Sequence, residues 1–401
     1  MMIMATTQQD VAHGSRLNAY TALILATLAM IVCFMSWSNF APLAAQVGTM
    51  FHLSVASRTL LLATPVLLGS IARIPVGILS DKYGGKKVYI ILMIFILIPL
   101  FMIPRVHSFG MLLFAALLVG MAGTSFAVGV SYASVWFPKE QQGLALGIVS
   151  MGNMGNAVAA LTLPYISKSH GFTAVYNFLM ILTVVIGVIF AIFCKEMPTN
   201  PNKTMSEALS VAKESSTWYL SLFYFLTFGL FVAFTNLTPL FLTGMFNYSQ
   251  VTAGLYAALF AGVCTIIRPV GGFMADKMRP MMLLQWVFVA IIAFAILIMV
   301  SFKSQPLFIA GIVLVGLAAG VGNGVVFKMV PYVSQGNTGA VTGFVGAMGG
   351  LGGFFPPLVI GWIKEWTGSY ELGIGLLVLT GVICLFALWH HFIRGDARIV
   401  K

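Results

Sequence analysis

The sequence predicts an all-α membrane protein with twelve transmembrane helices arranged as two pseudo-symmetric six-helix halves. Three observations carry that expectation. Of 401 residues, 60% are hydrophobic and only 8% charged, with a mean hydropathy of +1.00. A soluble domain has roughly a quarter of its residues charged, so water cannot be this chain's main solvent. Apolar runs of about 20 residues, each enough to cross roughly 30 Å of hydrocarbon as a helix, recur from end to end. Finally, Arg73, Gly77, Asp81 and Lys82 reappear as Arg268, Gly272, Asp276 and Lys277, each displaced by 195 residues, which is the mark of an internal repeat.

The apolar runs place helices over 20–45, 55–79, 87–104, 109–136, 142–165 and 173–194, then over 218–243, 251–275, 281–301, 306–330, 339–363 and 372–392. The first run is too long for a cleaved signal core and reads as a retained helix. Residues 195–217, with Pro198, Pro201 and mixed charges, form the one long polar connection. They divide the chain into a first half (1–194), a linker (195–217) and a second half (218–401). An even helix count puts both termini on one side. That side receives thirteen of the 21 lysines and arginines and the opposite side five, while Arg73, Arg268 and Lys328 fall inside helices. The excess marks the terminal side as cytoplasmic. The formal charge of +11 is therefore a matter of topology and gives no reason to expect nucleic acid. The expected setting is a cell membrane, with the lipid bilayer as partner and the chain a monomer.

Several function classes are disfavoured. The ten acids lie in termini, loops or helix ends, and the six histidines are terminal or near helix boundaries. No carboxylate or imidazole is placed mid-membrane to bind a cation or relay a proton. Cys33, Cys194, Cys264 and Cys384 fall in apolar segments without metal or disulfide spacing and read as packing residues. No nucleophile and base constellation, metal cluster or cofactor motif supports an enzyme, and no soluble output domain supports a sensor.

What stands out is a pair of arginines. Arg73 and Arg268 each precede an aspartate at a helix end by eight residues, or about 12 Å of helix rise, which puts both near the bilayer middle. A guanidinium there needs an anionic partner or a dense hydrogen-bond shell, and with no acid at that depth the expected partner is a transported anion. Lys328, three residues before Pro331 at a helix end, is expected to snorkel to the interface, with a coupling role as the alternative. Asn153 and Asn156 share a helix face at i, i+3 and offer uncharged donors; Asn323, between two glycines, is a weaker candidate of the same kind. Gly152 and Gly155, with Gly349 and Gly352, mark helices able to approach closely. Met151–Asn156 echoes Met348–Gly353 at a displacement of 197, setting Gly350 against Asn153.

The stretch Gly77-Ile-Leu-Ser-Asp81-Lys82-Tyr-Gly84-Gly-Lys86-Lys87 resembles the loop signature of the major facilitator superfamily. Phe126-Ala127, Trp136-Phe137-Pro138-Lys139, Gly147 through Asn156, Gly322-Asn323-Gly324 with Lys328, and Gly343 through Gly353 together resemble the nitrate/nitrite porter family of bacteria. The resemblance implies the major facilitator fold and transport of nitrate and nitrite by alternating access. It implies that Arg73 and Arg268 bind the anion and Asn153 adds a hydrogen bond. It also implies that Phe126, Tyr224 and Phe228 sandwich the flat ion, roles that spacing alone leaves open. Gly77, Asp81, Lys82, Gly272 and Asp276 are expected at gates, along with the helix glycines. Exchange of nitrate for nitrite is favoured because an empty site with two positive charges resists crossing the membrane. Nitrate/proton symport and a facilitator for a carboxylate remain open alternatives.

Overall fold

A computed structural model describes residues 16–53, 55–196, 209–333 and 338–394. Among them, twelve helices are long and apolar enough to cross a membrane. They are α1 (Arg16–Ala44), α2 (Leu60–Tyr83), α3 (Gly85–Arg105), α4 (Phe109–Ser134), α5 (Gln142–His170) and α6 (Phe172–Phe193), then α7 (Ser215–Thr238), α8 (Thr252–Lys277), α9 (Pro280–Val300), α10 (Gln305–Val333), α11 (Gly339–Ile360) and α12 (Glu371–Phe392). The expected helices agree with these to within a few residues at most ends. Of the expected linker, residues 197–208 lie outside the described residues; Ser210–Lys213 is a single 3₁₀ turn leading into α7. Ile91, Ile94, Ile98 and Phe101 on α3 are exposed, as are Val184, Val188 and Ile192 on α6. Outward apolar side chains of this kind are expected only where lipid replaces water. All four cysteines are free and buried.

Two helices break where the arginines sit. In α2, the segment Val55–Ile71 ends before Arg73–Tyr83 begins, and in α8, Gln250–Ile266 ends before Arg268–Lys277. Pro75 and Pro269 lack the N–H that would bond the carbonyls of Ile71 and Thr265, which loosens each helix at the turn that launches the guanidinium. In the first half, α4 and α5 are also interrupted, by the 3₁₀ turns Met121–Thr124 and Met151–Asn153. In the second of these, the Met154 N–H turns to the carbonyls of Met151 and Gly152 and not to that of Ser150.

The first six helices meet the last six along two seams, α2 against α11 and α5 against α8. Both are built from glycine backbones. A Cβ at Gly77 would overlap the Gly339 carbonyl, and one at Gly272 would overlap the Gly143 carbonyl. Gly147 lies on Pro269, and Gly343 on Arg73 and Ile74. By contrast, Gly152 and Gly155 pack on Met30, Ile31 and Phe34 of α1, and Gly349 and Gly352 on Tyr224, Phe225 and Phe228 of α7. Each glycine-rich helix thus turns one stripe across the seam and another toward its own set, and the seam stripe begins a turn or two earlier than Gly152 and Gly349.

The face that carries the start of α1 and the end of α12 is closed by aspartates. Asp81 accepts from the N–H groups of Gly339 (2.8 Å) and Ala340 (3.0 Å) at the start of α11, and from the Ser131 hydroxyl (3.1 Å). Asp276 accepts from Gly143 (3.1 Å) and Leu144 (2.9 Å) at the start of α5. Helix N-termini present unpaired N–H groups and partial positive charge, so each contact is worth up to about 2 kcal/mol where partly buried. Gly143 to Gly339 and Leu144 to Ala340 are each displaced by 196. The repeat in the glycine helices therefore runs at 196, which corrects the displacement of 197 read from the sequence. Gly349, not Gly350, stands where the first half has Asn153. The ring of Tyr224 occupies the space a side chain there would need. Glu196 closes a third helix start, accepting from the N–H groups of Lys86 (3.2 Å) and Lys87 (3.0 Å). Its carboxylate lies against Gly84, whose φ of 99° favours glycine.

Because a Cβ at Gly272 has no room, Gly272→Ala is expected to force α5 and α8 apart and cost about 1–3 kcal/mol. A melting temperature in detergent equal to that of the parent would show that the seam is not tight.

Candidate functional site

Arg73 and Arg268 are fully buried. From α2, Arg73 donates through Nε to the Gly123 carbonyl (3.0 Å), in the 3₁₀ turn of α4, and through Nη1 to the Gly346 carbonyl (2.6 Å) of α11. From α8, Arg268 donates through Nη1 to the Ser150 carbonyl of α5 at 3.5 Å. Each arginine therefore reaches from one helix set to the main chain of the other, and Ser150 to Gly346 is again a displacement of 196. Nη2 of Arg73, and Nε and Nη2 of Arg268, have no partner among the described residues.

Aromatic rings fill the space between them. Tyr224 stacks on Phe228 with centroids 4.9 Å apart and planes 11° apart. Phe126, from α4, faces Tyr224 at 5.9 Å and 22°. Both guanidinium carbons lie near the Phe228 centroid, Arg73 at 5.3 Å and Arg268 at 5.4 Å. Arg73 is also 5.4 Å from Phe126, and Arg268 5.0 Å from Phe231. Flat faces over a cation offset some of its desolvation, by up to about 2 kcal/mol in a dry site. Moving a guanidinium out of water costs several kcal/mol, and a hydrogen bond to a charged group returns about 1.5–3. With two carbonyl bonds for Arg73 and one long one for Arg268, the pair remains short of acceptors. An oxyanion between flat faces would supply them.

Asn153 is fully buried and donates through Nδ2 to the Ser150 carbonyl (2.7 Å), the same oxygen that accepts from Arg268. Its Oδ1 has no partner among the described residues. Asn156 is half-buried one turn on, and its Oδ1 has no hydrogen-bond partner among the described residues. Asn323 is buried, and neither of its amide atoms has a partner among the described residues. It lies one turn from Phe327, whose edge meets Phe126 (4.9 Å) and Tyr224 (4.7 Å). Lys82 lies over the Tyr83 ring at the face, away from the arginines.

Lys328 departs from expectation. It does not snorkel: its side chain is 4% exposed, and its Nζ pairs with Asp276 Oδ1 at 2.6 Å. The aspartate that caps α5 sits within reach, so the ammonium is satisfied inside the protein and gains nothing by stretching to water.

Sequence reasoning did not single out Phe327, Phe231 or the carbonyls of Gly123, Ser150 and Gly346. Phe231 had a signal, since it extends Tyr224 and Phe228 along one helix face at i, i+4, i+7. Phe327 follows Asn323 at i+4. The carbonyls had none, because every residue carries one.

The Major Facilitator Superfamily matches residues 26–357. A probable nitrate transporter, NarT, of Staphylococcus epidermidis is 36% identical over 369 residues, covering 92% of this chain and 95% of that protein. A nitrite extrusion protein of Bacillus subtilis is 36% identical over 374 residues, covering 92% and 94%. Among solved structures, the human organic anion transporter MFSD10 (TETRAN) aligns with a TM-score of 0.76 over 92% of this chain and 99% of that one. At 14% identity that likeness concerns the fold alone.

Lys328→Met leaves the Asp276 carboxylate without its ammonium and is expected to cost about 3 kcal/mol. Asp276→Asn in the same chain should recover part of that loss. Unfolding in detergent across the four-member cycle checks it, and strictly additive losses would show that the two groups are not coupled.

Proposed function

This chain belongs to the major facilitator superfamily, and we propose that it carries nitrate and nitrite across a bacterial cell membrane by alternating access. The observation that carries the reading is the arginine pair: two buried guanidiniums, one from each six-helix set, with unspent donors beside stacked aromatic faces. A planar monovalent oxyanion suits that setting. Its oxygens accept from the forked donors, and its faces lie against Phe126 on one side and Tyr224 and Phe228 on the other. Asn153 and Asn323 add polar atoms at the edges. A site this tightly lined favours small oxyanions over larger organic anions. The relatives named for nitrate transport and nitrite extrusion support the same substrates. The ion is moved and not altered, so the activity is transport and no cofactor is needed.

Charge along the seams favours exchange. Arg73 and Arg268 are buried and, among the described residues, bond to main-chain carbonyls and not to a carboxylate. One monovalent anion offsets part of that charge. The loaded protein then reorients with less net charge than the empty one, whose two guanidiniums the membrane penalises. In this reading residues 1–194 and 218–401 rock as halves about the anion, with 195–217 as linker, the chain acts as a monomer, and both termini are cytoplasmic, as the lysine and arginine count favours. The face shut by Asp81 and Asp276 is then the cytoplasmic gate.

Uptake of labelled nitrate into proteoliposomes tests this directly. Uptake should require nitrite or nitrate inside. Accumulation driven by an imposed proton gradient with no internal anion would favour symport instead, and movement of neither anion would sink the substrate assignment. Arg73→Lys and Arg268→Lys should each weaken nitrate binding by tenfold or more, since a point charge does not replace a planar fork at about 1.4 kcal/mol per decade. Parent-like affinity in both would refute the site.

A further inference from the structure

Between the arginine cage and the closed face runs a set of buried hydroxyls that the central site does not use. On α7, Thr217, Ser221, Tyr224 and Phe228 follow one another at i, i+4, i+7 and i+11, so they share one helix face. Tyr224 and Phe228 line the cage. Thr217 and Ser221 continue the stripe toward the closed face and are buried, and neither hydroxyl has a partner among the described residues. Other hydroxyls of α7 are divided: Thr227 and Thr235 donate to the carbonyls of Phe223 (3.1 Å) and Phe231 (2.6 Å), while Thr238, at the opposite end of the helix, is buried without a partner among the described residues. On α11, Thr342 lies one turn toward the face from Gly346, is fully buried and is likewise unpartnered. The two helices run side by side here, with Trp218 and Phe344 in edge contact at 6.2 Å, so Thr342 lies at the level of Thr217 and Ser221.

We propose that Ser221 and Thr342, with Thr217 nearer the face, form a second station for the transported monovalent anion on its way between the arginines and the closed face. The proposal rests on the nitrate and nitrite reading above. An anion leaving two guanidiniums for water crosses roughly 12 Å of mostly apolar seam, and crossing it without donors would cost several kcal/mol. Weak intermediate sites lower such a barrier without trapping the ion. Hydroxyls suit this role because they donate to an anion yet hold it far less tightly than a guanidinium. Lys328 serves the same route. When the face opens, Asp276 loses the Gly143 and Leu144 N–H groups of the other helix set but keeps Lys328 from its own. Asp276 is then not a bare carboxylate facing the departing ion.

The double variant Ser221→Ala/Thr342→Ala tests the station in proteoliposomes, read as nitrate–nitrite exchange rate beside equilibrium nitrate binding and melting temperature in detergent. The exchange rate should fall about fivefold while nitrate affinity stays within about twofold. The melting temperature should hold or rise, because two unpaired buried hydroxyls are removed. Ser221→Thr/Thr342→Ser, which keeps both hydroxyls, should retain the parent rate. An unchanged rate in the alanine variant overturns the station, as does a rate loss matched by equal loss of affinity, or a lowered melting temperature that the hydroxyl-keeping variant shares. If the parent itself exchanges no nitrate, the substrate reading fails first and the station falls with it.

Discussion

Everything in this molecule answers to the cost of placing two guanidiniums where water does not reach. A buried cation without partners loses several kcal/mol of solvation, and the chain meets that cost with main-chain oxygen and aromatic faces and not with carboxylates. The breaks in α2 and α8 and the 3₁₀ turns in α4 and α5 belong to this solution. They launch the arginines, and two of the carbonyls that accept from them, those of Gly123 and Ser150, lie at the 3₁₀ turns. Because each arginine reaches across to the opposite helix set, the side chains whose spare donors would hold an anion also join the two sets through Nη1. Binding and closure would thus share the same two side chains.

The glycine seams and aspartate caps follow from that arrangement. For a side chain to bridge the sets at mid-membrane, backbones nearer the face must approach closely, which explains why Gly77 meets Gly339 and Gly272 meets Gly143. The two gates differ in one respect. Asp81 is helped by a neutral hydroxyl from Ser131, whereas Asp276 is paired with the ammonium of Lys328. The near-symmetry of the repeat is therefore broken at Lys328, the cation bonded to Asp276.

Much of this was legible in the sequence. Helix number and approximate bounds follow from hydropathy because lipid leaves few alternatives to helices for a spanning chain. The arginines were conspicuous because charge at that depth is rare, and the 195-residue repeat placed one in each half. The glycine register was off by one, since a run with many glycines aligns with itself nearly as well at 197 as at 196. Lys328 was misplaced because its partner lies 52 residues earlier in the chain, a pairing that no local pattern encodes. The aromatic cage needed the family likeness, as 32 phenylalanines make any single one uninformative. The accepting carbonyls were beyond sequence reasoning altogether.

Those carbonyls bear on how such a protein changes over generations. An acceptor made of main chain survives any substitution at its own residue, provided no added bulk blocks the approach. Gly346, where a Cβ would press on the Arg73 side chain, shows that proviso at work, while its counterpart Ser150 tolerates a side chain. After a duplication, the two copies could therefore drift apart in α5 and α11 and still each hold the other's arginine. The proposed anion site would be inherited through geometry more than through identity, so its most durable half leaves almost no trace in the letters of the sequence.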